Sequence, residues 1–156
     1  MANELASSLI KKLQEKNLTL AVAESLTGGL VAASLTEIPG ASKVFKGSIT
    51  AYSDEIKINV LNVNKELITN FTSISEQVAL EMAINVRKTM KSDIGISTTG
   101  VAGPEKSSGF APGLVFVAIS NGDHNMCQKL EITGDRTQIR NQTVQAILQL
   151  TLSRLV

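Results

Sequence analysis

Apolar and polar positions follow two periods along this chain, and the switches between them mark the elements. Over residues 4–16, Leu5, Ala6, Leu9, Ile10 and Leu13 recur at helical spacing, with Lys11, Lys12, Glu15 and Lys16 on the other side. That pattern predicts an amphipathic surface helix. Residues 18–23 form a short apolar run that suits a buried strand. After a turn at residues 24–27, helical periodicity resumes over 28–37 and stops at Pro39-Gly40. Residues 44–52 predict a second strand, and Ser53-Asp54-Glu55 supplies a cap and first-turn acids for a helix to about Leu61. A shorter helix is expected over 65–71, and the clearest helix over 75–90, with Val78, Met82, Ile84 and Val86 among its apolar positions. Residues 93–98 read as a strand leading into a loop that begins at Gly100. Residues 113–120 and 125–133 predict two strands joined at Asn121-Gly122, a strong hairpin signal, and 135–155 closes the chain as a helix.

Helices that alternate with short apolar strands, followed by a late β-hairpin, predict an α/β fold: three layers, α/β/α, around a mixed, mostly parallel sheet. A single domain over 1–156 is expected from the length. Ligands of such sheets bind beyond the carboxyl ends of parallel strands. Three polar or glycine-rich segments directly follow predicted strands, at 24–29, 52–57 and 98–104. If those strands are parallel neighbours, the three segments meet at one edge.

Charge and composition narrow the chemistry. Fifteen basic residues stand against fourteen acidic ones, with no like-charged run longer than Lys11-Lys12, so no nucleic-acid partner is expected. The one cysteine, Cys127, cannot form an internal disulfide, and with a single histidine it cannot build an all-protein zinc site, so neither metal nor cofactor is expected. The first residues carry an acid and do not read as a signal peptide, and no apolar run approaches the length of a membrane span. A cytoplasmic location and no membrane partner are therefore expected. Aromatic residues are scarce at 3%, which makes the lone Tyr52 conspicuous.

Ser25 sits where a strand gives way to a helix. A side chain there can be exposed while backbone amides and the positive helix end point at a developing oxyanion or a phosphate. Gly28 and Gly29 would admit a substrate close to the backbone. The competing reading is that Ser25 and Thr27 only cap the helix. A serine nucleophile needs a base, and His124 lies beside the hairpin turn, where exposure is expected, so a histidine triad is disfavoured. A lysine of lowered pKa is the alternative, and Lys57, in the first turns of the helix after Tyr52, is best placed. Tyr52 could relay a proton or orient that lysine, although most lysines are simply solvated. The segment Thr98-Thr99-Gly100-Val101-Ala102-Gly103-Pro104 offers hydroxyls and amides as an anion nest, or is only a glycine-rich connection. Arg136 or Arg140, in the last helix, could pair with a phosphate or face solvent.

Taken in order, Ala-Glu-Ser-Leu-Thr-Gly-Gly, Tyr-Ser-Asp-Glu-Ile-Lys, Thr-Gly-Val-Ala-Gly-Pro and Gly-Asp-Arg resemble the motifs of the CinA C-terminal domain family, and the resemblance covers nearly the whole chain. It implies a nicotinamide-nucleotide amidohydrolase, which converts nicotinamide mononucleotide and water to nicotinic acid mononucleotide and ammonia without a metal. It implies Ser25 as nucleophile, with Tyr52 and Lys57 completing the catalytic set. Thr27, Gly28, Gly29, Thr99, Gly100, Gly103 and Arg136 become the expected substrate contacts, and self-association into a homo-oligomer is expected. The sequence departs from the family pattern at Leu26, often cysteine, at Glu105-Lys106-Ser107 after Gly103-Pro104, and at Ala111-Pro112-Gly113. The molybdopterin-binding-like domain sometimes fused to the family, and its pyrophosphatase activity, are not carried over.

Overall fold

The apolar run after the first helix becomes strand β1 (Leu20–Glu24), buried along its whole length. Its side chains alternate between two cores, Leu20 and Val22 into one, Ala21 and Ala23 into the other. Strand alternation thus requires cover on both faces. The computed structural model describes residues 1–155 and provides that cover. On the first face lie α1 (Ala2–Lys16), α2 (Leu30–Thr36) and α6 (Arg136–Arg154), which contribute Leu9, Ile10, Leu13, Val31, Leu35, Ile139, Ile147 and Leu148 to the larger core. Each such aliphatic side chain contributes about 2 kcal/mol by leaving water. On the other face lie α4 (Lys65–Phe71) and the long α5 (Glu76–Met90), while α3 (Asp54–Asn59) follows β2 at the sheet edge.

The remaining strands are β2 (Phe45–Thr50), β3 (Ile94–Gly100), β4 (Leu114–Ser120) and β5 (Asn125–Glu131), in the sheet order β2-β1-β3-β4-β5. β1 pairs in parallel with both β2 and β3, while β4 and β5 form the late antiparallel hairpin. The architecture is the three-layer α/β/α arrangement expected. The two faces differ in side-chain size. Beneath α5 the sheet presents Ala21, Ala23, Gly95, Ser97 and Ala118, small residues that let Ala79 and Ala83 approach closely. At Gly95 an added Cβ would stand 2.1 Å from the Ala83 carbonyl oxygen, so only glycine fits.

Element ends differ from the sequence pattern for local reasons. β2 ends at Thr50, the Ala51 amide making the last rung of the β1–β2 ladder with the Glu24 carbonyl before the chain turns into α3. α2 starts at Leu30, not Gly28, because Gly28 and Gly29 take positive φ values of 57° and 104° and belong to the turn. α3, α5 and α6 carry side-chain caps from Ser53, Ser75 and Asp135, the last with Gln138 in a capping box. Among the described residues no helix is long and apolar enough to cross a membrane.

Candidate active site

The parallel strands β1, β2 and β3 all end on one edge, where the three segments after them meet around a cleft of about 570 Å³. Ser25, Tyr52, Asp54, Lys57, Thr99, Gly100, Gly103, Glu105 and Arg136 are among its lining residues. The placement follows from register: Glu24 pairs with Thr50 on one side and Thr98 on the other, so the residues that come next on each strand are neighbours.

At the floor of the cleft stand Ser25 and Lys57. Lys57 lies in the helical turn capped by Ser53, and its side chain runs inward and is almost entirely buried, at 2% exposure. Its Nζ donates to Ser25 Oγ at 2.9 Å and to the Ala51 carbonyl oxygen at 2.9 Å. Burial disfavours the charged form, so the lysine pKa is lowered from its ordinary value, and the carboxylate of Asp54, one turn earlier on α3, partly opposes that shift. An uncharged Lys57 keeps one N–H for Ala51 and frees a lone pair for the Ser25 hydroxyl proton. A serine and a low-pKa amine in hydrogen-bond contact can act as a nucleophile and its base.

The turn that presents Ser25 is held from several sides. The Ser25 amide donates to the Thr98 carbonyl at 3.0 Å, and the Gly28 amide to the Ser25 carbonyl at 3.0 Å. From α6, Arg140 donates through Nε to the Leu26 carbonyl at 2.9 Å and through Nη2 to the Thr27 carbonyl at 3.1 Å. Arg140 therefore braces the turn rather than facing solvent.

Tyr52 lies at the mouth, 59% exposed. Its hydroxyl accepts a hydrogen bond from Arg136 Nη2 at 3.0 Å, while Arg136 Nη1 donates to the Gly103 carbonyl. One guanidinium thus ties Tyr52, the loop after β3 and the start of α6 together, and the Tyr52 hydroxyl faces Arg136 and not the lysine. Thr99 lines the cleft but commits its hydroxyl to the Ser73 carbonyl at 2.8 Å. Lys57 and Arg136 are the basic side chains among the lining residues, and Asp54 and Glu105 the acidic ones.

Three expected substrate contacts lie elsewhere. Thr27 is fully buried behind the turn, with its hydroxyl 2.7 Å from that of Thr98. Gly28 and Gly29 do not line the cleft, because their positive φ values carry the chain away from it; a Cβ on Gly28 would stand 3.3 Å from Arg140 Nη2. Neither Ser25 nor Thr27 caps α2. The Leu30 amide bonds the Thr27 carbonyl, and the next two α2 amides are taken by Glu24, whose Oε1 accepts from Val31 N at 2.9 Å and whose Oε2 accepts from Ala32 N at 3.1 Å. A helix start already filled by a carboxylate offers no seat for a phosphate. His124 is exposed at the hairpin turn, far along the chain from the site. Glu24 is a supporting residue that sequence patterning missed, Arg140 reads there only as a phosphate partner or solvent-facing cation, and Ser73, Ser107 and Ser108 are further wall residues.

The family model described as CinA C-terminal domain matches residues 2–155. A CinA-like protein from Dictyoglomus turgidum is 44% identical over 140 residues, covering 89% of this chain and 34% of the relative. The chain spans about a third of the length of the curated relatives it matches. Among solved structures, a competence-damaged protein (CinA) superfamily protein from Enterobacter cloacae superposes with a TM-score of 0.97 at 29% identity, covering 100% of this chain and 93% of that one. The competence/damage inducible protein CihA from Agrobacterium tumefaciens gives 0.94 at 33% identity, covering 99% and 94%.

Proposed function

The chain belongs to the CinA C-terminal domain family, and from that premise we propose that it is a serine amidase that hydrolyses the carboxamide of nicotinamide mononucleotide to nicotinic acid mononucleotide and ammonia. The observation that carries this reading is the contact of a buried, low-pKa Lys57 with the hydroxyl of Ser25 at the floor of a cleft.

In the proposed reaction uncharged Lys57 takes the Ser25 proton as Oγ bonds to the amide carbon. The tetrahedral intermediate collapses with cleavage of the C–N bond, and Lys57 returns the proton to the departing nitrogen, which leaves as ammonia. Water then attacks the acyl-Ser25 ester, giving a proton to Lys57, which passes it to Ser25 Oγ as the acyl C–Oγ bond breaks; the acid is released with the Ser25 hydroxyl and the free amine restored. Ala51 keeps the amine aimed through both halves. Arg136, the cation at the cleft mouth, is suited to the ribose phosphate, and Tyr52, held by it, to orienting the nucleotide.

Ammonia release from the purified protein with nicotinamide mononucleotide, matched by appearance of nicotinic acid mononucleotide, tests this directly. Stoichiometric release is expected. Calorimetric binding of the nucleotide without turnover would instead mark a binding module, and turnover of other amides with indifference to this nucleotide would reassign the substrate.

A further inference from the structure

Glu24 is the last residue of β1, fully buried, and absent from the lining of the cleft. Its groups nevertheless converge on the reacting pair. Its carbonyl oxygen accepts from the Ala51 amide at 2.8 Å, and the Ala51 carbonyl in turn holds Lys57 Nζ. Its own peptide bond leads directly to Ser25. Its carboxylate reaches across the turn to the amides of Val31 and Ala32, so the loop of residues 25–30 is closed at its neck. That loop contains Gly28 and Gly29 in succession, both at positive φ, a backbone with unusual freedom to move. The α2 N-cap, Gly29, has no side chain to restrain it.

We propose that Glu24 is the positioning residue of the Ser25–Lys57 pair: its carboxylate fixes the turn that carries Ser25, while its backbone fixes the carbonyl that aims Lys57. One residue thereby sets both the nucleophile and its base. An error of about 1 Å in such a pair costs on the order of a hundredfold in rate. A plain helix cap, by contrast, changes the stability of the fold and leaves the rate per folded molecule alone.

The inference rests on Ser25 being the nucleophile, so its test has a readout independent of the nucleotide. The second-order rate of Ser25 phosphonylation by a fluorophosphonate probe is measured for wild type and Glu24→Gln, beside kcat and KM for nicotinamide mononucleotide and the urea midpoint of each protein. The glutamine keeps the shape but offers one acceptor to two amides. Labelling rate and kcat are expected to fall together by about 10- to 100-fold with KM within about twofold, and Glu24→Asp, which keeps the charge on a shorter arm, to lie between. If Glu24→Gln fails to fold, Glu24→Asp against wild type carries the same comparison. Labelling within twofold of wild type in a folded variant overturns the proposal and leaves Glu24 a stability cap. A wild type that labels at Ser25 but releases no ammonia sinks the nucleotide reading, and the labelling rates alone then decide the role of Glu24. No labelling of wild-type Ser25 overturns both.

Discussion

β1 and β3 run side by side, and their two ends treat polar groups in opposite ways. Where the strands begin, Thr19 and Asp93 satisfy one another at the surface: the Thr19 amide and hydroxyl donate to Asp93 Oδ2 at 2.8 and 2.7 Å, and the Asp93 amide donates to Thr19 Oγ1 at 3.0 Å. Those bonds hold the Asp93 carboxyl below its ordinary pKa. Where the strands finish, Glu24, Ser25, Lys57 and Thr98 are buried, and the lysine is pushed the other way, toward its uncharged form. The first end closes its hydrogen bonds locally and serves the fold. The second end buries an ionisable amine against a hydroxyl on the wall of a cleft, an arrangement that costs stability and that the proposed chemistry would account for.

Substitutions at the finishing end should therefore act on rate, and those at the starting end on stability. Lys57→Met removes the base and should lower turnover by about 1,000-fold or more, while circular dichroism and cooperative urea unfolding show a folded protein, since a polar amine no longer has to be buried. Arg136→Met frees Tyr52 and the 100–104 loop and removes the mouth cation; KM for the nucleotide should rise by about tenfold, with a smaller fall in kcat. Asp54→Asn should leave maximal turnover nearly intact but move the acid limb of the pH–kcat profile to lower pH. The sign follows from the charge: activity appears as Lys57 loses its proton, the Asp54 carboxylate favours the protonated form, and removing that carboxylate lets the lysine deprotonate at lower pH.

The smallest effect on activity is expected at the opposite edge. Asp93→Asn should cost about 1 kcal/mol in urea denaturation at neutral pH and leave turnover unchanged. Because the native Asp93 pKa is depressed, its contribution is present above the unfolded carboxyl pKa and lost as pH falls through the native value. The stability gap between wild type and Asp93→Asn should thus close on acidification. A change in turnover from this substitution would erase the distinction between the two ends.

Much of the molecule was legible in the residue pattern, because apolar alternation dictates which faces need cover. The late hairpin follows from that pattern, and so do the three segments at one sheet edge once their strands are parallel neighbours; the pattern leaves Ser25 and Lys57 open to a capping serine and a solvated lysine, and the family motifs single out the pair. What stayed hidden depends on contacts between residues far apart in sequence. Thr27 looks like a cap until Thr98, seventy-one positions on, proves to be its partner. The real cap of α2 comes from Glu24 at a strand end, seven and eight residues before the amides it holds. Helical spacing puts Lys57 on α3, but spacing does not reveal that its Nζ reaches a carbonyl beneath the sheet edge. Arg140 also reads as a solvent-facing cation until the Leu26 and Thr27 carbonyls lie within its reach.

The central claim, that Ser25 attacks and Lys57 receives its proton, is tested most directly by the initial rate of ammonia release from nicotinamide mononucleotide at saturating substrate, wild type against Ser25→Ala. The substitution removes one oxygen from a site whose backbone is held by Thr98 and Arg140, so the fold and nucleotide binding should survive. A fall of about 1,000-fold or more with binding retained is predicted; Ser25→Ala releasing ammonia at the wild-type rate would contradict the account.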